Sequence, residues 1–227
     1  MNDHKKRIVY VTIILLLACS AMYMIEIYMQ PGYLIKSLLK IALFGGLPLL
    51  YSLVDPTFSV RQVFARDKSN SMLGPVSLGV AVYVLIVGGY FLLAQFIDLD
   101  LISDQLTEDL NVNKGNFVWV ALYISFVNSL LEEFFFRGFA FFTLKRAHAR
   151  GYAYVVSAMT FALYHVAILQ HWFDLVMFVL LIVGLFGAGL LFNWLNERHH
   201  NIYSSWIVHM SANFAINTIG FIMFGII

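Results

Sequence analysis

Apolar residues fill seven long stretches of this chain, at about 8–28, 33–54, 72–97, 117–144, 152–170, 173–195 and 202–226. Within each stretch Phe, Leu, Ile and Val fall on every face of a helix, not along one stripe. A helix that is apolar all round is buried or faces lipid. A bilayer is spanned by roughly 20 such residues. Lipid-exposed backbone must satisfy its own hydrogen bonds, which selects helices over open sheet. A β-barrel would show short alternating segments, and the chain has none. The pattern predicts an all-α, polytopic transmembrane helix bundle with about seven spans, forming one integral membrane domain over 1–227.

The loops orient the spans. Lys5, Lys6 and Arg7 precede the first, Arg61, Arg66 and Lys68 follow the second, Lys145, Arg146 and Arg150 follow the fourth, and Arg198 closes the sixth. All fall on one side, which the bias of Lys and Arg assigns to the cytoplasm, with the N-terminus. The third loop, with Asp98, Asp100, Asp104, Glu108 and Asp109, falls on the other side. Lys36 and Lys40 lie near the outer end of the second span, where long cationic side chains usually snorkel outward. Glu26 is close enough in sequence to pair with one of them. Residues Leu16-Leu17-Ala18-Cys19 loosely resemble a lipoprotein cleavage box, but apolar sequence continues to Tyr28, which suits an uncleaved first helix.

Composition agrees with a membrane protein: 61% hydrophobic and 12% charged residues, with a mean hydropathy of +0.81. Soluble domains carry about twice that charge. The single cysteine, Cys19, excludes an internal disulfide and a cysteine metal cage. The expected partner from composition is the lipid bilayer, with no nucleic acid. The expected location is a bacterial cytoplasmic membrane.

Against this background three charges stand out within the fourth apolar stretch: Glu132, Glu133 and Arg137. Each costs roughly 2.5–3.5 kcal/mol at a helix centre on insertion scales, so a functional site is the default reading. Glu133 and Arg137 are four apart and share a helix face. Glu132 points elsewhere, over Asn128. The pattern therefore predicts a Glu133–Arg137 ion pair and a free Glu132, a candidate general base. His165 lies in the fifth stretch, and His209 and Asn213, one turn apart, in the seventh. Glu132 is thirteen residues from Lys145, His165 fifteen from Arg150, Asn213 thirteen from His200 and His209 nine from His200. At 1.5 Å per residue these are depths of about 20, 22, 20 and 14 Å. Unrelated core polar residues have no reason to share a level.

The three groups stand in order as Glu132-Glu133-Phe-Phe-Phe-Arg137, Phe161-Ala-Leu-Tyr-His165 and His209-Met-Ser-Ala-Asn213. In this the chain resembles the CPBP family of intramembrane proteases, the CAAX-prenyl endopeptidases and the bacteriocin-processing or immunity (Abi) enzymes. The resemblance covers about 117–226, the expected catalytic core, and leaves the first three spans outside. It implies an intramembrane endopeptidase, with a peptide or membrane-anchored protein as its partner, in which Glu132 with His165 activates a water. His209 and Asn213 would stabilise the oxyanion, Glu133 and Arg137 would hold the helix, and Phe161 would pack beside the site. The family is commonly labelled metalloprotease, and Zn²⁺ held by His165, His209 and Glu132 fits usual ligand chemistry. No His-Glu-x-x-His pair occurs, so the favoured mechanism is glutamate-dependent and requires no cofactor. The alternative functions are a non-catalytic immunity or binding protein on the same scaffold and, ranked below it, a small transporter.

Overall fold

The computed structural model describes residues 2–65, 71–94, 106–107, 112–170 and 173–227. Seven helices in it are long and apolar enough to cross a membrane: α1 (Asp3–Met29), α2 (Tyr33–Val54), α3 (Leu73–Leu93), α4 (Phe117–Arg146), α5 (Arg150–Leu169), α6 (Leu175–His199) and α7 (Tyr203–Met223). They coincide with the stretches read from the sequence, apart from a turn or so at their ends. No strand occurs among the described residues. The protein is an all-α integral membrane protein. The acidic residues of the third loop, and Arg66 and Lys68, lie outside the described residues.

Helix α4 is the hub. It touches α1, α2, α5, α6 and α7, while α7 also runs along α3 and α5 along α6. Every residue from 132 to 141 is buried. The Phe-rich sequence there fills the surrounding space: Phe135 stacks on Phe44 of α2, and Phe139 meets Tyr51 of α2 edge-on. Two π-helical stretches interrupt α4, at Tyr123–Asn128 and Glu133–Phe141. Such bulges are rare and often mark functional sites; here they flank Glu132.

Small residues let the other helices close in. A Cβ on Gly189 of α6 would lie 2.9 Å from the Ala158 Cα of α5, and one on Gly138 of α4 would meet Val63 Cγ1 at 2.5 Å. Val63 belongs to a one-turn helix, Val60–Val63, that follows α2. Buried polar groups are satisfied across helices. Ser157 Oγ donates to the Phe136 carbonyl at 2.8 Å, and Asn193 Nδ2 donates to the Tyr154 carbonyl at 3.1 Å.

Charged groups gather at one end of the bundle. Arg7 Nε lies 2.8 Å from Asp55 Oδ2, and Arg146 donates to the Thr57 carbonyl. Glu197 accepts from Arg150 and Tyr154 and pairs with Lys145. At the other end of α1 and α2, Lys36 Nζ donates to Glu26 Oε1 at 2.7 Å, the pairing expected from their proximity.

Candidate active site

Two glutamates adjacent on one helix point to different partners. Glu133 and Arg137 are both 0% exposed and pair through Arg137 Nη1 and Glu133 Oε1 at 2.9 Å. A charge buried this deeply is tolerated when it is paired and hydrogen-bonded. Glu133 has two further donors on α7: Ser205 Oγ donates to Oε2 at 2.5 Å, and His209 Nδ1 lies 3.0 Å from Oε1. The rest of the Arg137 guanidinium lies on aromatic faces, 4.1 Å from the Phe161 ring centre and 5.0 Å from that of Phe192, a contact that favours a flat cation.

His209 stands between the glutamates. An ionised carboxylate only accepts hydrogen bonds, so the Glu133 contact places a hydrogen on His209 Nδ1. The other ring nitrogen, Nε2, lies 3.6 Å from Glu132 Oε2. The imidazole is fixed by Phe192, stacked at 5.4 Å, and by Phe161, edge-on at 5.7 Å.

His165 also meets the Phe161 ring. Helix α5 breaks at this residue, with the backbone tightened by a 3.1 Å bond from His165 N to the Ala162 carbonyl. His165 Nδ1 lies 2.8 Å from the Phe161 carbonyl. A carbonyl cannot donate, so Nδ1 carries the hydrogen and the neutral ring keeps its lone pair on Nε2. The His165 and Phe161 rings meet at 4.9 Å. Phe161 thus touches Arg137, His165 and His209 together.

Asn213 lies one turn beyond His209. Its amide donates to the Ile124 carbonyl of α4 at 3.1 Å. Asn217 repeats the contact a turn further on, donating to the Ala121 carbonyl and Ser125 Oγ. Ser205, His209, Asn213 and Asn217 therefore form one polar stripe on α7, four residues apart, laid along α4 in the antiparallel sense. The spacing of Ser205 and Asn217 was the available signal for both.

The structure corrects two expectations. Glu132 is not free. It is 1% exposed, and its Oε1 accepts from Asn128 Nδ2 at 3.1 Å and from Lys40 Nζ of α2. Lys40 does not snorkel: it is 6% exposed and runs inward, donating also to Asn128 Oδ1, with Nζ 4.7 Å from the Tyr164 ring centre. A carboxylate that would otherwise be buried unpaired holds the ammonium inside, because each offsets the cost of burying the other. The second span, outside the stretch that carries the motifs, consequently contributes to the site. Among the described residues no three His, Cys, Asp or Glu groups, Glu132, His165 and His209 included, stand at metal-binding spacing. The ammonium on Glu132 Oε1 also repels a cation from the same carboxylate, so the donor set does not fit Zn²⁺.

Three buried atoms of this cluster lack a hydrogen-bond partner among the described residues: Arg137 Nε and Nη2, whose guanidinium lies against the Phe161 and Phe192 rings, and Glu132 Oε2. Glu132 Oε2 is buried and unbonded, although a carboxylate oxygen in the interior ordinarily accepts. His209 Nε2 lies 3.6 Å from it.

Residues 114–215 match the model of the Rce1-like family, described as type II CAAX prenyl endopeptidase Rce1-like. The match agrees with the resemblance carried by the three motifs, and it contains Glu132, Glu133, Arg137, Phe161, His165, His209 and Asn213 but not Lys40. No curated protein and no solved structure matches the chain.

Proposed function

We propose that this protein is a membrane-embedded endopeptidase that hydrolyses a peptide bond in a peptide or membrane-anchored precursor, with Glu132 as general base. The observation that carries the reading is the unpartnered Glu132 Oε2, buried within the bundle and 3.6 Å from His209 Nε2. A buried carboxylate oxygen with no partner has one evident use in a hydrolase, to hold and deprotonate a water. The family match over 114–215 supports the same class of reaction.

The step balances with water alone. A water held by Glu132 Oε2, with His165 Nε2 as a second acceptor, gives a proton to the carboxylate as its oxygen bonds to the scissile carbonyl carbon. The oxyanion that forms is met by His209, whose Nε2 donates when the ring carries a second proton, and by Asn213, whose second amide hydrogen is free of the Ile124 contact. Donors aimed at a developing oxyanion are often the largest catalytic term. The proton on Glu132 then passes to the leaving nitrogen as the C–N bond breaks, giving a carboxylic acid and an amine. Glu133 holds His209 by its Nδ1 hydrogen, and Arg137 holds Glu133. The Lys and Arg bias of the loops supports a cytoplasmic N-terminus in a bacterial cytoplasmic membrane.

The test is hydrolysis by the purified protein in liposomes of a fluorogenic peptide ending in a farnesylated Cys-aliphatic-aliphatic-X tail, beside its unprenylated twin. Cleavage of either that is lost in His165→Ala supports the reading, and the pair tells whether the lipid matters. Cleavage that persists in His165→Ala and His209→Ala alike contradicts it.

A further inference from the structure

We infer that Lys40 is a positioning residue of this reaction: with Asn128 it occupies one oxygen of Glu132 and thereby reserves the other for the water. The inference rests on the endopeptidase reading. Lys40 lies in α2, far in sequence from the 114–215 match.

Lys40, Asn128 and Glu132 form a closed triangle. Lys40 Nζ donates to Glu132 Oε1 and to Asn128 Oδ1, while Asn128 Nδ2 donates to the same Oε1 at 3.1 Å. Both of these hydrogen bonds to Glu132 thus converge on Oε1, and Oε2 has no partner among the described residues. The two oxygens of a carboxylate are chemically equal, and rotation of the group exchanges them. Pinning one removes that freedom and fixes where the proton acceptor sits relative to His209. Positioning of this kind matters because reacting atoms must be held within a narrow distance range.

The triangle is more than an anchor for α2. That helix is already tied to α1 by Lys36 and Glu26 at 2.7 Å and to α4 by the stacked Phe44–Phe135 pair at 4.3 Å. Lys40 also sits on the inner stripe of α2, with Ser37, Phe44, Pro48 and Tyr51 buried, while Leu34, Ile35, Leu38 and Ile41 face outward. Two aromatic rings, Phe44 and Tyr164, lie 5.6 and 4.7 Å from Nζ and screen it from water. A charge screened in this way acts strongly on its neighbour.

The experiment uses the full chain in liposomes and the farnesylated fluorogenic peptide. Lys40→Met keeps the stem and removes the charge. It is expected to lower kcat by about 100-fold, the scale of losing one fixed electrostatic partner, with KM within about threefold of wild type. Lys40→Arg is expected to recover at least about tenfold of the loss. In a Glu132→Gln background Lys40→Met is expected to remove nothing more. A folded Lys40→Met protein whose kcat stays within about threefold of wild type, or whose loss lies wholly in KM, overturns the inference. If Lys40→Met fails to fold by gel filtration, Asn128→Ala decides at the same oxygen: a loss of about tenfold in kcat supports the inference, and an unchanged kcat overturns it. Turnover that survives Glu132→Gln sinks the endopeptidase reading and this inference with it. That outcome differs visibly from Glu132-dependent turnover that ignores Lys40.

Discussion

His209 Nδ1 lies 3.0 Å from Glu133 Oε1. Because a carboxylate can only accept, this contact fixes both the tautomer and the direction of the ring, and it leaves Nε2 turned toward Glu132. Glu133 therefore acts on two helices at once: it pairs with Arg137 on its own helix and holds the imidazole of the next. Its neighbour Glu132 has a separate job.

This division separates stability from activity. Glu133→Gln leaves Arg137 buried without its counter-ion, and breaking a buried pair typically costs on the order of 3–5 kcal/mol. Thermal unfolding in detergent is expected to show a drop for both variants, larger for Glu133→Gln, because Arg137 is fully enclosed whereas Lys40, near one end of its span, can turn outward once its partner is lost. Equal melting shifts for the two would show that the glutamates share one structural role.

The two histidines touch one Phe161 ring but stand in different surroundings, so their variants should differ. His209 is locked by Glu133, Phe192 and Phe161, whereas His165 is held by one bond to the Phe161 carbonyl. Both His165→Ala and His209→Ala should lower kcat by roughly 100-fold or more, the usual scale for losing an acid–base or oxyanion partner. Only His209→Ala should also lower the melting temperature measurably, because it strips a partner from buried Glu133. Melting curves recorded beside turnover check this.

Close packing of α5 on α6 gives a prediction remote from the chemistry. A Cβ at position 189 would sit 2.9 Å from the Ala158 Cα, which is backbone and cannot swing away. Gly189→Ala should destabilise the protein by about 1–3 kcal/mol, the usual cost of overpacking. Residual turnover per folded molecule should remain near wild type. A melting temperature equal to wild type would contradict this packing.

Asp55 ties the N-terminal segment to the end of α2 and lies outside the spans. Burial raises its carboxyl pKa, but hydrogen bonds from Thr57 and Tyr51 and the Arg7 charge outweigh burial, so the group ends below the usual aspartate value. A depressed carboxylate contributes stability that is present above its unfolded pKa, near 3.9, and is lost as pH falls through the folded value. Asp55→Asn should therefore melt earlier than wild type at pH 7, and the gap should close as the pH is taken below about 4. A gap that stays constant over this range would show that the ion pair and hydrogen bonds add nothing.

Much of this architecture was legible before any coordinates. Seven spans follow from hydrocarbon's demand for long apolar helices, and the Glu133–Arg137 pair follows from four-residue spacing. Lys40 was misread because a lysine near a helix end normally has an easy route to water. The contrary sign was the inward stripe of Ser37, Lys40, Phe44, Pro48 and Tyr51, against outward Leu34, Ile35, Leu38 and Ile41. The direction of the His165 ring was not legible, since it depends on a break in α5 at that residue. The Asn213 contact with the Ile124 carbonyl was hidden for a similar reason: it uses a backbone group in a π-helical stretch, and side-chain spacing does not reveal such groups.

The base role of Glu132 is tested most directly without choosing a substrate. Membranes from cells producing wild-type protein, and from cells producing Glu132→Gln at equal abundance, are labelled at free peptide N-termini and compared by mass spectrometry. The expected result is a set of new termini in membrane-associated proteins that is present with wild type and absent with Glu132→Gln. The same new termini in both samples would contradict Glu132 as the base.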